Sequence, residues 1–405
     1  MKKGLDIHNF EKKMESAFRC LDREELVSEY NKELIKKFVK HRILDGMSKA
    51  RLSRYIFILR DWAKLIGKDF DKAVKEEIMD ALSVLQNKDY SAWTLSTYKA
   101  MLKRFYKWIN GNEELPDCVK WIKAKIDRKD RKVISPDELL TEGEIMQVLE
   151  IMPHPRDKAF VSLLYESGCR IGEIGNLQVK NVSFDENGAI INVNGKTGPR
   201  SVRIISSVSY LASWINCHPF KNDPESALWV NVGNANHGKV MKYQGIRMML
   251  QRYFKRAGIN KKINPHFFRH SRASLLANHL TEFQMNHYFG WIQGSDMPST
   301  YIHMSGKRLD ESLLEMNGMQ KEEVKKESVL KPKKCLKCDL VNGPDAKFCS
   351  KCGGTFDLKT SLEVDEVKEK RTNADELMGL LMKDEKISKM ILEKVKEIGI
   401  TNSLM

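Results

Sequence analysis

The middle of the chain contains a polar nine-residue segment, Tyr165-Glu166-Ser167-Gly168-Cys169-Arg170-Ile171-Gly172-Glu173. Gly168 marks a turn, and Arg170 follows that turn at the predicted start of a helix. A hydrophobic core does not need an arginine at such a place, because charged side chains are rarely buried without a partner. Arg170 is therefore our first candidate functional residue.

Four later segments carry further polar side chains that core packing does not require. They contain Lys196 in a predicted hairpin turn, His266 and Arg269 in a predicted helix, Trp291 after a glycine, and Tyr301. His266 and Arg269 are three residues apart, so they share one helical face. Each residue alone also has a plain interpretation as a surface charge or a core side chain. The order and spacing of the set carry the information.

Together these residue types fit the chemistry of a phosphodiester. Two guanidinium groups match the non-bridging oxygens of a phosphate, and their charge stabilises a pentacoordinate transition state without Mg²⁺. A tyrosine supplies a nucleophile, although its free pKa of about 10 means that it needs cationic surroundings to ionise readily. A lysine on a turn can protonate the leaving oxygen, and an indole N–H can hold a phosphate oxygen.

The set resembles the tyrosine recombinase (phage integrase) family, which carries these residue types in this order. The resemblance covers residues 29–318 and is closest to archaeal-type integrases, here with a C-terminal zinc ribbon. It implies six catalytic residues, with Tyr301 as nucleophile and Lys196 as general acid: Arg170, Lys196, His266, Arg269, Trp291 and Tyr301. It also implies three supporting residues around them: Glu173, His270 and His303.

Two features depart from the most common family pattern. Trp291 occupies a position that is most often histidine, and tryptophan is a known alternative there. Tyr301 follows Trp291 by ten residues, one more than the common bacterial spacing. The segment from Gly290 to Pro298 is more similar to archaeal members.

The resemblance implies a function as well as a site. Tyr301 would attack a DNA phosphate, form a 3′-phosphotyrosyl link and release a 5′-hydroxyl, without ATP, a nucleotide cofactor or a catalytic metal. Double-stranded DNA with a specific recombination site would be the partner, bound by a homotetramer. Two alternatives stay open: a non-catalytic DNA-binding or architectural factor on a recombinase scaffold, and a relaxing enzyme similar to type IB topoisomerases.

Composition and charge agree with a nucleic-acid partner. The 405 residues carry a net charge of +15, and 41% of them are hydrophobic, which excludes a mainly disordered chain. The positive charge is concentrated in residues 31–60 and 120–132, whereas residues 357–405 carry a net charge of −2. No apolar run approaches a membrane span, and the N-terminus lacks the apolar region of a secretory signal. We therefore expect a cytoplasmic, nucleoid-associated protein without a membrane partner.

The fold class predicted from periodicity is mainly α with a small β-sheet (α+β). Leu52, Tyr55 and Leu59 share one face of a predicted helix, and residues 189–205 alternate as a hairpin. Thr141 and Glu144 have the spacing of a capping box.

Seven segments are predicted: an N-terminal segment (1–28), a helical core-binding, SAM-like DNA-binding domain (29–112), a basic linker (113–138), the catalytic domain (139–318), a charged linker (319–334), a zinc ribbon (335–356) and an acidic amphipathic helical tail (357–405).

Four of the eight cysteines form two pairs, each of the type CxxC, with ten residues between the pairs: Cys335, Cys338, Cys349 and Cys352. Four thiolates at this spacing suit one structural zinc ion, with iron as the alternative, and they leave no open position for catalysis. The role of the predicted zinc ribbon stays open between a stabilising element or subunit contact and an extra module that binds DNA or protein. An accessory protein bound through the ribbon or the tail is a further possibility.

Overall fold

The computed structural model describes residues 5–111, 114–127, 135–261, 263–295, 297–305, 316–317, 319 and 328–397. Parts of both predicted linkers (residues 113, 128–134 and 320–327) therefore lie outside the described residues. The chain divides into two compact units, each built from separate stretches of sequence. The first unit comprises Met1–Leu139, Arg170–Gln178 and Ala227–Met248, and the second comprises Leu140–Cys169, Val179–Ser226 and Met249–Met405. The seven predicted domain boundaries stay predictions.

The first unit is mostly helical. Two of its long helices, α2 and α5, begin with a serine cap: Ser28 and Ser91 accept the N–H groups of Asn31 and Thr94. Periodic apolar side chains from these helices meet in one core around Trp62, which is fully buried. The helices are α1 (Phe10–Asp22), α2 (Glu29–Leu44), α3 (Lys49–Ile66), α4 (Lys75–Gln86), α5 (Ala92–Ile109), α6 (Asp117–Lys120) and α9 (Ile171–Gly175).

The second unit combines helices with a small sheet. Helix α7 begins with the predicted capping box, in which Thr141 accepts the N–H of Glu144 and the Glu144 carboxylate accepts the N–H of Thr141. Helix α11 continues across the boundary between the two units. The helices are α7 (Glu142–Ile151), α8 (Pro155–Ser167), α10 (Val208–Asn216), α11 (Tyr243–Arg256), α12 (Pro265–Leu276), α13 (Glu282–Phe289) and α14 (Met297–Ser305).

The sheet has three antiparallel strands in the order β1 (Val182–Asp185), β2 (Gly188–Gly195) and β3 (Gly198–Ile204). The predicted hairpin forms, with Ile191 opposite Val202 and Gly195 opposite Gly198. Strand β1 is not predicted by the sequence analysis, because its residues are largely exposed and lack the alternation of a half-buried strand. The fold class is confirmed as α+β.

A buried carboxylate fastens the end of the sheet to helix α8. Glu166 is 6% exposed and accepts the backbone N–H groups of Ile205, Ser206 and Ser207 at 2.7–2.8 Å. Three such bonds satisfy a charge that would otherwise be costly to bury. The chain that follows β3 is therefore held against α8.

The C-terminal part contains β4 (Lys333–Lys334), β5 (Val341–Asn342), α15 (Leu358–Leu381) and α16 (Glu385–Glu397). Asp345 fastens the region around β4 and β5 to the rest of the second unit. Its carboxylate accepts from Lys158 Nζ at 2.5 Å and from the Tyr210 hydroxyl at 2.6 Å. In α15 most apolar side chains are exposed. None of the helices in the described residues is both long and apolar enough to cross a membrane.

Candidate active site

Arg170 lies at the start of helix α9, as the sequence predicts. Helix α8 ends at Gly168, and Arg170 is the N-cap residue of the next helix. The Glu173 carboxylate is buried and accepts both the Arg170 backbone N–H, at 2.8 Å, and its guanidinium, at 3.0 Å. The Arg170 side chain is one-third exposed. Glu173 therefore contacts both the backbone and the side chain of the first candidate arginine, and its supporting role stays a prediction.

Arg269 lies on α12, and the side chain of Asn264, the residue before this helix, caps its first turn. It is 2% exposed, and its guanidinium donates to the Gly168 carbonyl at 3.1 Å and to the Phe289 carbonyl at 2.6 Å. These two acceptors end α8 and α13, so the arginine connects both helix termini. His266 begins the same helix but is exposed. The two residues share the helix, although one points into the protein and the other into solvent.

Tyr301 is buried among aromatic and basic side chains. Its hydroxyl lies 2.6 Å from Nδ1 of His270, and its ring stacks on Trp291 with centroids 5.4 Å apart and planes 8° from parallel. The guanidinium of Arg269 lies 5.3 Å from the Trp291 ring centroid, within the distance of a cation–π contact. The structure therefore brings Arg269, His270, Trp291 and Tyr301 together.

The surroundings change the pKa values of Tyr301 and His270 in opposite directions. Burial raises the pKa of Tyr301 to about 12, and the nearby charge of Arg269 offsets only part of this rise. Burial lowers the pKa of His270 to about 4, aided by the charges of His266 and Arg269. Desolvation thus outweighs the neighbouring charge of Arg269 at this phenol. His270 is neutral at pH 7 and can accept the phenolic proton in a hydrogen bond.

Lys196 lies exposed at the tip of the β2–β3 hairpin. The hairpin is tied to the segment that precedes Trp291: the Thr197 hydroxyl donates to the Gly290 carbonyl at 3.1 Å, and Arg200 Nε donates to the Tyr288 carbonyl at 2.9 Å. The lysine thus belongs to a turn that is held against the candidate site by its neighbours. Its own side chain is not fixed by these bonds.

The sequence does not indicate a role for Arg200, and it indicates only a supporting role for His270. Arg200 lies in a strand, where a surface arginine and a tethering arginine look the same in sequence. Its neighbour Arg203 pairs with Asp185 on the exposed side of the sheet. His270 is predicted only as support, yet it contacts the Tyr301 hydroxyl directly. The side chain of His303 lies outside the described residues.

The four paired cysteines come together as predicted. One Sγ atom from each of Cys335, Cys338, Cys349 and Cys352 lies within 4.8 Å of all the others. Tetrahedral zinc with Zn–S bonds of about 2.3 Å requires Sγ–Sγ separations of about 3.8 Å, and two of the pairs here are 3.5 Å apart. The donor set and its size therefore fit a metal ion, and four thiolates close its coordination shell.

Comparison with known proteins finds a family match and similar recombinases. The family described as phage integrase family matches residues 138–308. Tyrosine recombinase XerA of Pyrococcus furiosus is 26% identical over 244 residues, which are 60% of this chain and 79% of the relative. The chain is therefore an enzyme of the tyrosine recombinase class, which carries out site-specific recombination. Residues 138–308 are the part of the chain that matches the phage integrase family.

Solved structures share the fold. The XerH site-specific recombinase bound to a palindromic difH substrate, in a post-cleavage complex, has a TM-score of 0.53 at 18% identity and covers 78% of this chain and 98% of its own. A lambda integrase tetramer bound to a Holliday junction has a TM-score of 0.50 at 14% identity and covers 65% and 78%. At these identities the comparison establishes the fold alone.

Proposed function

We propose that this recombinase cuts and rejoins double-stranded DNA at a specific site through a 3′-phosphotyrosyl intermediate, with Tyr301 as nucleophile. The observation that carries the proposal is the hydroxyl of Tyr301, which is hydrogen-bonded to His270 and packed beside Arg269 and Trp291. A tyrosine held by a neutral histidine next to a buried arginine suits attack on an anionic phosphate.

The family resemblance assigns phosphate binding to two arginines. Arg170 and Arg269 offer planar guanidinium groups, which match the non-bridging oxygens and neutralise the charge that grows in the transition state. Trp291 would donate through its indole N–H, and His266, exposed at the start of α12, would face the DNA. Because both arginines already have protein partners, their positions are set before DNA binds.

The bond changes are a transesterification. The Tyr301 oxygen attacks phosphorus, the bond to the 5′-oxygen breaks, and the ester energy is kept in the protein–DNA link. His270 orients the attacking hydroxyl, and an arriving phosphate raises the pKa of this histidine, which makes it a better proton acceptor. Lys196, on the exposed hairpin tip, would give the proton to the leaving 5′-oxygen. No ATP is needed, since no bond energy is lost.

The partner we propose is double-stranded DNA held by four copies of the chain on paired sites. The net charge of +15 and its concentration before residue 133 support binding to the phosphate backbone. The lambda integrase tetramer shares the fold, which supports the same assembly here. A cytoplasmic, nucleoid-associated location and an accessory protein stay predictions.

The cysteine cluster would hold one structural zinc ion. The four Sγ atoms supply a soft tetrahedral donor set, and the region around β4 and β5 has little core of its own, so its folding should depend on the metal. The Asp345 contacts with Lys158 and Tyr210 favour the stabilising role for this ribbon. Zinc takes no part in the proposed reaction.

Covalent trapping on nicked duplex DNA tests the proposal. The wild-type protein should give a protein–DNA band that survives denaturation, whereas Tyr301→Phe should bind DNA within about twofold of the wild type and give no band, because it lacks the attacking oxygen. Tyr165→Phe removes a hydroxyl from another buried tyrosine of the second unit and should keep the band.

Other outcomes of this experiment identify the alternatives. A band that persists in Tyr301→Phe would show that another residue is the nucleophile. DNA binding without any band, on duplexes drawn from the whole host genome, would favour the non-catalytic factor. Relaxation of supercoiled plasmids that lack any recognised site, at the same rate as recombination, would favour the topoisomerase-like activity.

A further inference from the structure

The N-terminal segment before α1, residues 5–9, is built into the first unit beside the helix that Arg170 begins. We call residues 5–9 the N-terminal strap. Ile7 is 1% exposed, its backbone N–H donates to the Asn176 side chain at 3.2 Å, and its carbonyl accepts from the Tyr243 N–H at 3.0 Å. Asp6 stabilises the turn into α1 by accepting the N–H groups of His8 and Phe10.

The strap touches helix α9 at its C-terminal end. A Cβ atom added at Gly175 would lie 2.3 Å from Ile7 Cδ1, so only a residue without a side chain permits this approach. His8 Nε2 lies 3.6 Å from the corresponding position at Gly172. The strap therefore packs along one side of a helix that has only five residues.

A helix this short depends on its neighbours. Five residues span about 7.5 Å, and isolated helices of this length are not stable in water. The contacts of α9 include the strap and Trp229, whose indole N–H donates to the Ile174 carbonyl at 2.8 Å. Glu173, in the middle of α9, then orients the Arg170 guanidinium.

We propose that the N-terminal strap is a positioning element for Arg170. Ile7 packs against Gly175, and its backbone N–H binds the Asn176 side chain, so the strap holds α9 in place. Helix α9 in turn positions the Glu173 carboxylate, which orients the Arg170 guanidinium. The proposal rests on the proposed function of Arg170 at the phosphate. It assigns a role in DNA cleavage to residues that lie more than 160 positions before the arginine in sequence.

Single-turnover cleavage at saturating protein tests the proposal. Ile7→Ala should slow covalent attachment by about 10- to 100-fold, because small displacements of a catalytic group cost that much, while the Kd for DNA changes by less than about twofold. Ile7→Val should restore most of the rate. Ile151→Ala truncates an exposed isoleucine at the end of α7, outside the basic stretches, and should behave as the wild type.

A double substitution separates positioning from simple destabilisation. If Ile7 acts through Arg170, Arg170→Ala combined with Ile7→Ala should be no slower than Arg170→Ala alone. An independent further loss in the double variant would overturn the proposal. So would an Ile7→Ala protein that attaches DNA at the wild-type rate.

Hydrogen exchange without DNA gives a readout that is independent of catalysis. The amides of Glu173 and Ile174, which donate to the Arg170 carbonyl, should exchange about tenfold faster in Ile7→Ala. Unchanged exchange would show that the strap does not hold α9. If the wild type attached no DNA at all, the proposed function would fail, and exchange would still decide whether the strap holds α9.

Discussion

Arg269 is held more firmly than Arg170. Arg269 is 2% exposed and donates to two backbone carbonyls, while the rings of Phe289 and Trp291 lie beside its guanidinium. The Arg170 side chain is one-third exposed and pairs with Glu173. Backbone acceptors at helix ends move little, so Arg269 is oriented in advance of any phosphate. Arg170 is instead contacted by Glu173, which lies on the short helix α9.

Lowering the pH should destabilise the protein through His270. Its pKa is about 4 in the folded protein, against an ordinary value of 6.5. Between these values the unfolded chain binds a proton that the folded chain does not, so the free energy of unfolding falls as the pH drops from 6.5 towards 4. At 1.36 kcal/mol per pKa unit, this shift corresponds to an upper limit of about 3 kcal/mol in the free energy of unfolding. The actual loss should be smaller, because the ring is only partly buried and solvent screens its charge.

Denaturant titrations at pH 7 and pH 5 measure this loss. His270→Gln should lose less stability than the wild type over this interval, because the glutamine has no proton to gain. His279→Gln replaces an exposed histidine and should keep the wild-type pH dependence. Equal pH dependence in the wild type and His270→Gln would contradict the assignment.

Among the structural elements, the β2–β3 hairpin depends on its contacts with residues 288–290. Thr197 and Arg200 both donate to carbonyls of that segment, and Gly290 lies between them with a left-handed φ of 59°. A Cβ atom at Gly290 would lie 2.9 Å from an Arg200 nitrogen and 3.0 Å from the Thr197 hydroxyl. Gly290 therefore allows the close approach that positions the hairpin carrying Lys196.

Gly290→Ala should therefore impair cleavage beyond its effect on stability. Any alanine at a left-handed φ costs about 1 kcal/mol, and at Gly290 the added methyl group also displaces the Thr197 and Arg200 side chains. Gly294→Ala is the matched control, because Gly294 has a φ of 75° and open space around it. Both variants should lose similar stability, but only Gly290→Ala should slow covalent attachment, by about tenfold or more. Equal rates in the two variants would exclude a role for the tether.

At the scale of the whole molecule, the cysteine cluster and the second unit are joined by a charged contact. Asp345 lies between Lys158 of α8 and Tyr210 of α10, and Leu330, which precedes the cluster, is buried. The hydrogen bond to Asp345 and burial both raise the pKa of Tyr210, burial more strongly. The ribbon is therefore packed as a part of this unit rather than as a separate module.

Removing the metal should unfold the ribbon and lower the thermal stability of the chain. Elemental analysis should find one zinc ion per chain in the wild type and none in Cys349→Ser, since three thiolates bind zinc much more weakly than four. Cys217→Ser alters an exposed cysteine outside the cluster and should retain the ion. A chelator should lower the Tm by several degrees and open residues 333–356 to protease. An unchanged Tm after complete metal loss would contradict a structural role.

The sequence by itself determined the local features of this protein. Caps, periodicity and residue spacing act within a few positions, so they predict the capping box at Thr141, the helix start at Arg170, the β2–β3 hairpin and the pairing of the cysteines. The order of polar segments also identified the family, which the match over residues 138–308 confirms. The catalytic roles assigned to individual residues stay predictions.

Only the tertiary structure decided which side chains are buried and which distant segments meet. The burial that raises the Tyr301 pKa, the contact of Arg200 with residue 288 and the packing of Ile7 on Gly175 all join residues far apart in sequence. No local pattern encodes such contacts, because a buried and an exposed polar side chain look the same along the chain. The polar contacts among them form because a buried polar group needs a hydrogen-bond partner, and in the folded chain that partner comes from a distant segment.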